Sequence, residues 1–388
     1  MPGSSITGPR YLSDRTRQMR YAKLREFLDT HGLDAVYVFG DGAVAYIAGE
    51  FMRYPDAFVL FTRHEDPVLF VSDRARAYVL YGLEKNRRDF WIQDYRINDP
   101  SELKAVFTAR HLEHARIGIT GRNISWHAYQ TLKQIVPNAE LTDITQDYQI
   151  LRRVKLPEDI QLIRRSVQVV DTAVSALAQQ VHASMFEHEI KAIMESSMYQ
   201  SGAHDTLNLC NADARDISFV SMPGDHCSAQ TRPGDLVCCE VTACFHQMWT
   251  QQIIHISLGP PSDTFQALHN ACKAGHDAAA GIIRPGANAR DIVNTGCAKI
   301  EALGFLSGRQ FLSGPPGHLV GFERDEGTFS YSQDLILEES MVLDLHLSAA
   351  VPDWTPGKYG VFGPGSTFLV TADGCESLNK WQNDVLFC

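Results

Sequence analysis

Hydrophobic positions along the first half of the chain switch between two periods. Residues 16–31 carry Met19, Leu24 and Leu28 at helical spacing and close on His31-Gly32, which predicts a helix. LDAVYVFG (33–40) is a continuous apolar run and predicts a buried strand. AYIAGEF (45–51), AFVLFTR (57–63) and PVLFVS (67–72) follow as a predicted strand meander, with ARIGITG (115–121) as one more strand. ISWHAYQTLKQIV (124–136) returns to helical spacing, with Ser125 placed to cap it. The alternation predicts an N-terminal α/β domain over residues 1–152.

From residue 151 the pattern changes. Pro157 suits the first turn of a helix, and Glu158 and Asp159 favour its positive end. Ile160, Ile163, Val167, Val170, Val174 and Leu177 then form one apolar stripe. Further helices are predicted over 185–201, 263–283 and 288–303, the last two separated by Pro285-Gly286. Strand-like runs fill the spaces: ISFVSM (217–222), GDLVCCEVTA (234–243), WTQQIIHISLG (249–259), SMVLDLHLS (340–348) and STFLVTADG (366–374). Helices interspersed with antiparallel hairpins predict an α+β second domain over residues 153–388.

Composition narrows the function classes. The 388 residues suffice for two domains, and 44% hydrophobic with 21% charged residues is a globular balance. A net charge of −11 argues against broad nucleic-acid binding. The short basic stretches (Arg152-Arg153 with Lys155, and Arg164-Arg165) are interspersed with acids and read as solvated helix faces. The N-terminus has no apolar run, and no window of ~18 apolar residues exists, so neither a signal peptide nor a membrane span is expected. The nine cysteines contain no CxxC pair, which favours reduced, mostly buried thiols in a cytoplasmic protein over a disulfide framework or zinc knuckle.

Strand periodicity selects the candidate chemistry. In GDLVCCEVT, Leu236, Cys238, Glu240 and Thr242 share one face; in TQQIIHIS, Gln251, Ile253 and His255 do; in MVLDLHLS, Asp344 and His346 do. A buried Asp with a buried His on an apolar strand is costly unless paired or used. The alternatives are a structural polar network and a substrate pocket.

LRRVKLPEDI (151–160), IRPGANARDIVNTGCAKIEALGF (283–305), RPGDLVCCE, PPGHLVGFERDEG, ESMVLDLHL and TFLVTADGCESL occur in an order and spacing that resemble the creatinase/aminopeptidase P/prolidase superfamily. GLDAVYVFG and YIAGE stand where its accessory domain has them. The resemblance covers 120–388 most fully. It implies an N-terminal creatinase-type α/β domain, a C-terminal pita-bread catalytic domain, and a homodimer.

Peptidases of that family hold two divalent metals with two Asp, one His and two Glu, and a bridging hydroxide attacks the amide. By the resemblance, those five positions fall on Glu240, Gln251, His318, His346 and Gly365. No Asp or Glu lies between Glu240 and Ser262, so the second strand has no carboxylate to offer. Creatinase and ectoine hydrolase resemble the peptidases in fold yet act without metal. The Glu of the latter, after its GDLV strand, matches Glu240. The family's Arg-Thr pair is Ile254-His255 here, and the Glu that creatinase uses is Ile253, so the chain departs from both.

His226, in the loop before GDLV, lies where relatives place a substrate-facing His. Asp325 and Glu326 fall on the family's His-Glu pair. Trp249 and Tyr359 could wall a pocket for a cationic or planar substrate, with core packing the plainer reading of Trp249. His246, at the hairpin tip, is expected to face solvent.

The expected function is a metal-independent hydrolase of a C–N bond in a small amidine, guanidino or amide substrate. Glu240 is expected as nucleophile or base, with His318 and His346 as proton carriers. Gln251, His226, Asp325, Glu326, Asp344 and Tyr359 are expected to bind substrate. The same groups could serve lyase or decarboxylase chemistry. No cofactor or metal is expected, and no nucleic-acid or membrane partner. The alternatives are a divergent Xaa-Pro dipeptidase or aminopeptidase with a reduced metal site (one ion on Glu240, His318 and His346) and a non-catalytic binding member of the family.

Overall fold

The computed structural model describes residues 11–49, 57–73, 91–212, 229–311, 314–355, 358, 360–381 and 384–388. The chain forms two compact units, Met1–Arg152 and Arg153–Cys388.

In the first unit, α1 (Asp14–His31) starts at Ser13, whose side chain accepts from Thr16 N, and ends at Gly32 in the left-handed region. β1 (Ala35–Phe39) follows, then α2 (Asp41–Ala48), β2 (Phe58–Thr62), β3 (Val68–Val71), β4 (Asp94–Ile97), α3 (Pro100–Ala109), β5 (Arg116–Ile119), α4 (Trp126–Ile135), β6 (Glu140–Asp143) and α5 (Thr145–Arg153). The sheet order is β4-β3-β2-β1-β5-β6. β1, β2 and β3 pair antiparallel as a meander, and β4, β5 and β6 join in parallel.

One expectation fails here. The run beginning AYIAG is helix, not strand: α2 is buried over Gly42–Ala48. An unbroken apolar run has no period to separate a buried strand from a buried helix. The local composition decides, because three alanines around one Val and one Ile favour the helix.

In the second unit, α6 (Pro157–Gln180) buries Ile163, Val167, Val170, Val174 and Leu177, but Ile160 lies at the edge of the stripe. Asp159 is buried instead, accepting from Leu156 N at 3.0 Å and closing the helix start. After it come α7 (Glu187–Gln200), β7 (Asp205–Thr206), β8 (Leu209–Asn211), β9 (Leu236–Phe245), β10 (Met248–Ser257), α8 (Asp263–Ala280) and α9 (Ala289–Ala302). β11 (Gly317–Leu319), β12 (Gly327–Thr328), β13 (Val342–His346), β14 (Gly365–Val370), β15 (Cys375–Ser377) and β16 (Leu386–Phe387) complete the main sheet. Its path is β12-β11-β13-β14-β10-β9-β7, with β8 on β9, β15 on β14 and β16 on β10. ISFVSM (217–222) lies outside the described residues.

Two helix pairs cover this sheet. Ser166 Oγ on α6 donates to Ala243 O on β9 at 3.0 Å and accepts from Thr250 Oγ1 at 3.0 Å. α8 and α9 cross where Gly275 meets Gly296; a Cβ on Gly296 would stand 2.7 Å from Gly275 O, so larger residues are excluded. Against them pack Leu343, Leu345, Leu347, Phe368 and Val370. These side chains alternate with Asp344, His346 and Thr367, which therefore point to the opposite face.

The segment 321–326 is held from within. Lys155 Nζ pairs with Glu326 Oε2 with both side chains wholly buried, and also donates to Arg153 O at 3.1 Å. Glu326 Oε1 accepts from Phe322 N at 3.1 Å. Gly321, at φ +154°, leaves the space that the Lys155 ammonium fills. Removing one partner leaves a buried charge uncompensated. Glu326→Gln is predicted to destabilise the protein by about 3–5 kcal/mol, read as a lower denaturant midpoint at unchanged slope. Lys155→Met with Glu326→Leu is predicted to lose less than either single change.

Candidate active site

Antiparallel register sets which side chains meet, because directly opposed residues share a face. Glu240 on β9 stands opposite Ile253 on β10, Ile253 opposite Gly365 on β14, and Gly365 opposite His346 on β13. The adjoining row runs from Thr242 to Gln251, and from Thr367 through Asp344 to His318 on β11. Five strands thus bring residues 240, 251, 318, 344 and 346 to one face.

Hydrogen bonds tie the second row. Gln251 N donates to Thr367 Oγ1 at 3.3 Å, and Thr367 Oγ1 lies 2.8 Å from Gln251 O and 3.1 Å from Asp344 Oδ1. The His318 and His346 rings meet edge to face at 5.5 Å between centroids. Phe362 backs His346 at 5.3 Å. The remaining polar atoms are unmatched: His318 Nδ1, His346 Nδ1 and Asp344 Oδ2 are buried with no partner among the described residues. Buried polar atoms are normally satisfied, so three orphans on one face mark a place that holds something else.

Electrostatics follow from burial. Glu240 is pushed from 4.5 up to about 7 by burial, against the pull of Arg324. Its carboxylate makes no hydrogen bond among the described residues. Burial raises Asp344 well above the usual carboxylate range, and the nearby Glu240 adds to this, while the Thr367 hydroxyl opposes it. Burial, with His318 and His276 nearby, takes His346 down to about 3. Burial also lowers His318, against Asp325. Both imidazoles are therefore neutral at neutral pH, beside two carboxyl groups that hold protons unusually well.

The other expected site residues separate. Glu326 is fully buried and bound to Lys155 and Phe322 N, so its carboxylate is unavailable to a substrate; the charge that suggested binding serves the loop instead. Asp325 turns back on Gly327 N (2.9 Å) and Thr328 Oγ1 (2.5 Å), within electrostatic reach of His318. His226 and Tyr359 lie outside the described residues. The hairpin tip is not in open solvent. His246 is half-buried, its backbone N donates to His204 Nδ1 at 2.8 Å, and Gln247 beside it is buried, donating to Phe322 O. Trp249 is buried, and the guanidinium carbon of Arg324 lies 5.5 Å from its ring centroid, so a protein cation already occupies the face proposed for a substrate cation.

Sequence reasoning missed Thr367 and Arg324. The alternation in STFLVT could have found Thr367, two residues from Gly365 on the same face. Arg324 is hidden in ERDE, where the flanking acids attract the reading.

Comparison with known proteins fixes the class. Residues 161–372 match metallopeptidase family M24, and residues 20–154 match the creatinase/prolidase N-terminal domain. The chain belongs to family M24. It is 22% identical to an Xaa-Pro dipeptidase of Pyrococcus horikoshii over 94% of this chain and 97% of that one. It is also 22% identical to a creatinase of a Bacillus species, over 93% and 90%. The solved X-Pro aminopeptidase of Thermotoga maritima superposes with a TM-score of 0.80 at 18% identity, covering 95% of this chain and 99% of that chain. The architecture is accordingly an N-terminal creatinase-type domain followed by a pita-bread domain.

The resemblance sets the family's five metal positions on Glu240, Gln251, His318, His346 and Gly365, and on that assignment the donor set suits a two-metal centre poorly: an amide and a glycine stand at two positions and a neutral imidazole at a third. No group of three or more His, Cys, Asp or Glu side chains among the described residues is placed to hold an ion. Hard divalent cations need several charged oxygens, and this face offers few.

The raised carboxyl at Glu240 gives a sign-definite prediction. A group whose folded pKa exceeds its unfolded value favours the fold while protonated in both states, and that contribution is lost as pH rises through the folded value. Stability is predicted to fall as pH climbs from about 4.5 to about 7. Glu240→Gln is predicted to flatten that decline, measured by urea midpoints across the window.

Proposed function

We propose that the protein is a metal-independent enzyme that hydrolyses a C–N bond in a small amidine, guanidino or amide substrate. The observation that carries this reading is Glu240: a half-buried carboxyl with no hydrogen-bond partner among the described residues, raised to about 7, on the same sheet face as two neutral imidazoles with orphaned Nδ1 atoms. A desolvated carboxylate is a stronger nucleophile and base than a hydrated one. An amidinium or guanidinium entering the pocket would pair with it, restore its charge and present an electrophilic carbon.

In this mechanism Glu240 either adds to that carbon, the C–N bond then breaking and water hydrolysing the resulting Glu240 ester, or takes a proton from the water that adds to the carbon directly. His318 and His346 move protons through Nδ1 to the departing nitrogen. The Gln251 amide holds the substrate or the developing oxygen charge. Asp344 and Thr367 fix the Gln251 backbone and close the site below. The partner is a small molecule, and the resemblance carries with it a homodimer. Among the described residues no helix is long and apolar enough to cross a membrane.

A second reading has one observation in its favour. The unpartnered Nδ1 atoms of His318 and His346 are donors that a divergent Xaa-Pro peptidase with a reduced metal site could turn on an ion.

Purified enzyme assayed on cyclic amidines, guanidino acids and Xaa-Pro dipeptides separates the two. The prediction is turnover of an amidine or guanidino compound that chelator leaves unchanged and Glu240→Gln lowers by at least about a hundredfold. Dipeptide cleavage abolished by chelator contradicts it.

A further inference from the structure

Arg324 sits in the middle of a short loop whose two ends are pinned. Trp249 N donates to Gly321 O at 2.7 Å, and Gln247 Nε2 donates to Phe322 O at 3.2 Å. At the other end Glu326 is locked to Lys155 and to Phe322 N. The backbone carrying Arg324 is therefore fixed against the β9–β10 hairpin before any ligand arrives.

The side chain is placed as firmly. Its guanidinium carbon lies 5.5 Å from the Trp249 ring centroid, a cation–π contact that fixes the group yet uses none of its five N–H donors. Those donors have no hydrogen-bond or ion-pair partner among the described residues, although the residue is flanked by Glu323 and Asp325. Asp325 is turned away onto Gly327 and Thr328. The guanidinium is solvent-exposed, and its charge is felt at both Glu240 and His318. In a chain of net charge −11, such an unpaired, prepositioned cation beside the polar face of the sheet is a local reversal of sign.

We propose that Arg324, laid on Trp249, is a specificity-determining residue that binds a carboxylate of the substrate while Glu240 receives the C–N carbon. This rests on the function proposed above and adds to it the second end of the substrate. A guanidinium presents a planar fork that meets a carboxylate with two parallel hydrogen bonds, and stacking on an aromatic ring leaves the fork edge free. The face of Trp249 thus serves an anion through Arg324, the reverse of the cation-binding role its indole suggests alone.

Calorimetric titration of the full-length protein with guanidinoacetate, methylguanidine and propionate tests this. Wild type is predicted to bind guanidinoacetate about tenfold or more tightly than methylguanidine. Arg324→Gln is predicted to erase that preference, bringing guanidinoacetate binding down to the level of methylguanidine binding by the same variant. Arg324→Lys keeps the charge but not the fork and is predicted to restore only part. An unchanged preference in Arg324→Gln overturns the anchor. Glu240→Gln is predicted to lose methylguanidine, which checks the C–N reading separately. If neither guanidine binds, that reading falls, and propionate decides the anchor: binding by wild type and not by Arg324→Gln upholds it, and equal or absent binding in both overturns it.

Discussion

The site depends on the register of one sheet. Glu240, Gln251, His318, Asp344 and His346 come from four strands spread over more than a hundred residues, and only the pairing of β9, β10, β14, β13 and β11 brings them to one face. A one-residue slip in any of these pairs would turn a polar side chain into the helix-packed core and a leucine into the pocket. The register is held because the opposite face has no freedom: Leu343, Leu345, Leu347, Phe368 and Val370 must meet α8 and α9. Stability on one side of the sheet is thus the cause of alignment on the other.

That division leaves the pocket face free to change its chemistry. The chain keeps the fold at 18% identity to the T. maritima enzyme. On the polar face of the sheet, the positions that the resemblance assigns to the family's metals carry an amide, a glycine and neutral imidazoles beside Glu240. The result is a face that desolvates its carboxyls without surrounding them with cations, so Glu240 and Asp344 hold protons and both imidazoles lose theirs. Among the described residues, Arg324 is the positive charge whose influence reaches Glu240. The pattern suits a positively charged substrate at Glu240 better than a bound cation that must be held by several carboxylates.

Much of this was legible in the sequence, for physical reasons that differ by element. The long helices declared themselves by period and by caps, such as Ser125 and the Pro157 start. The strands of the site did so by alternation, which also sorted Glu240, Gln251, Asp344 and His346 onto one face of the sheet. AYIAG was not legible, because an apolar stretch without period fits a buried helix as well as a strand. Glu326 was misassigned because sequence shows that a carboxylate is present but not that Lys155, 171 residues away, neutralises it. His246 looked exposed because a hairpin tip usually is; here its backbone donates to His204 and its ring meets those of His204 and Phe245. Arg324 and Thr367 carry no local signal of function, and only the packed arrangement gives them one.

The central claim is that this face works without a metal ion. Elemental analysis of the purified, unchelated protein tests it most directly. Well below about 0.1 equivalent of transition metal per chain, with substrate turnover intact, is the predicted result. One or two tightly held ions per chain, lost together with activity and released by Glu240→Gln, would contradict it.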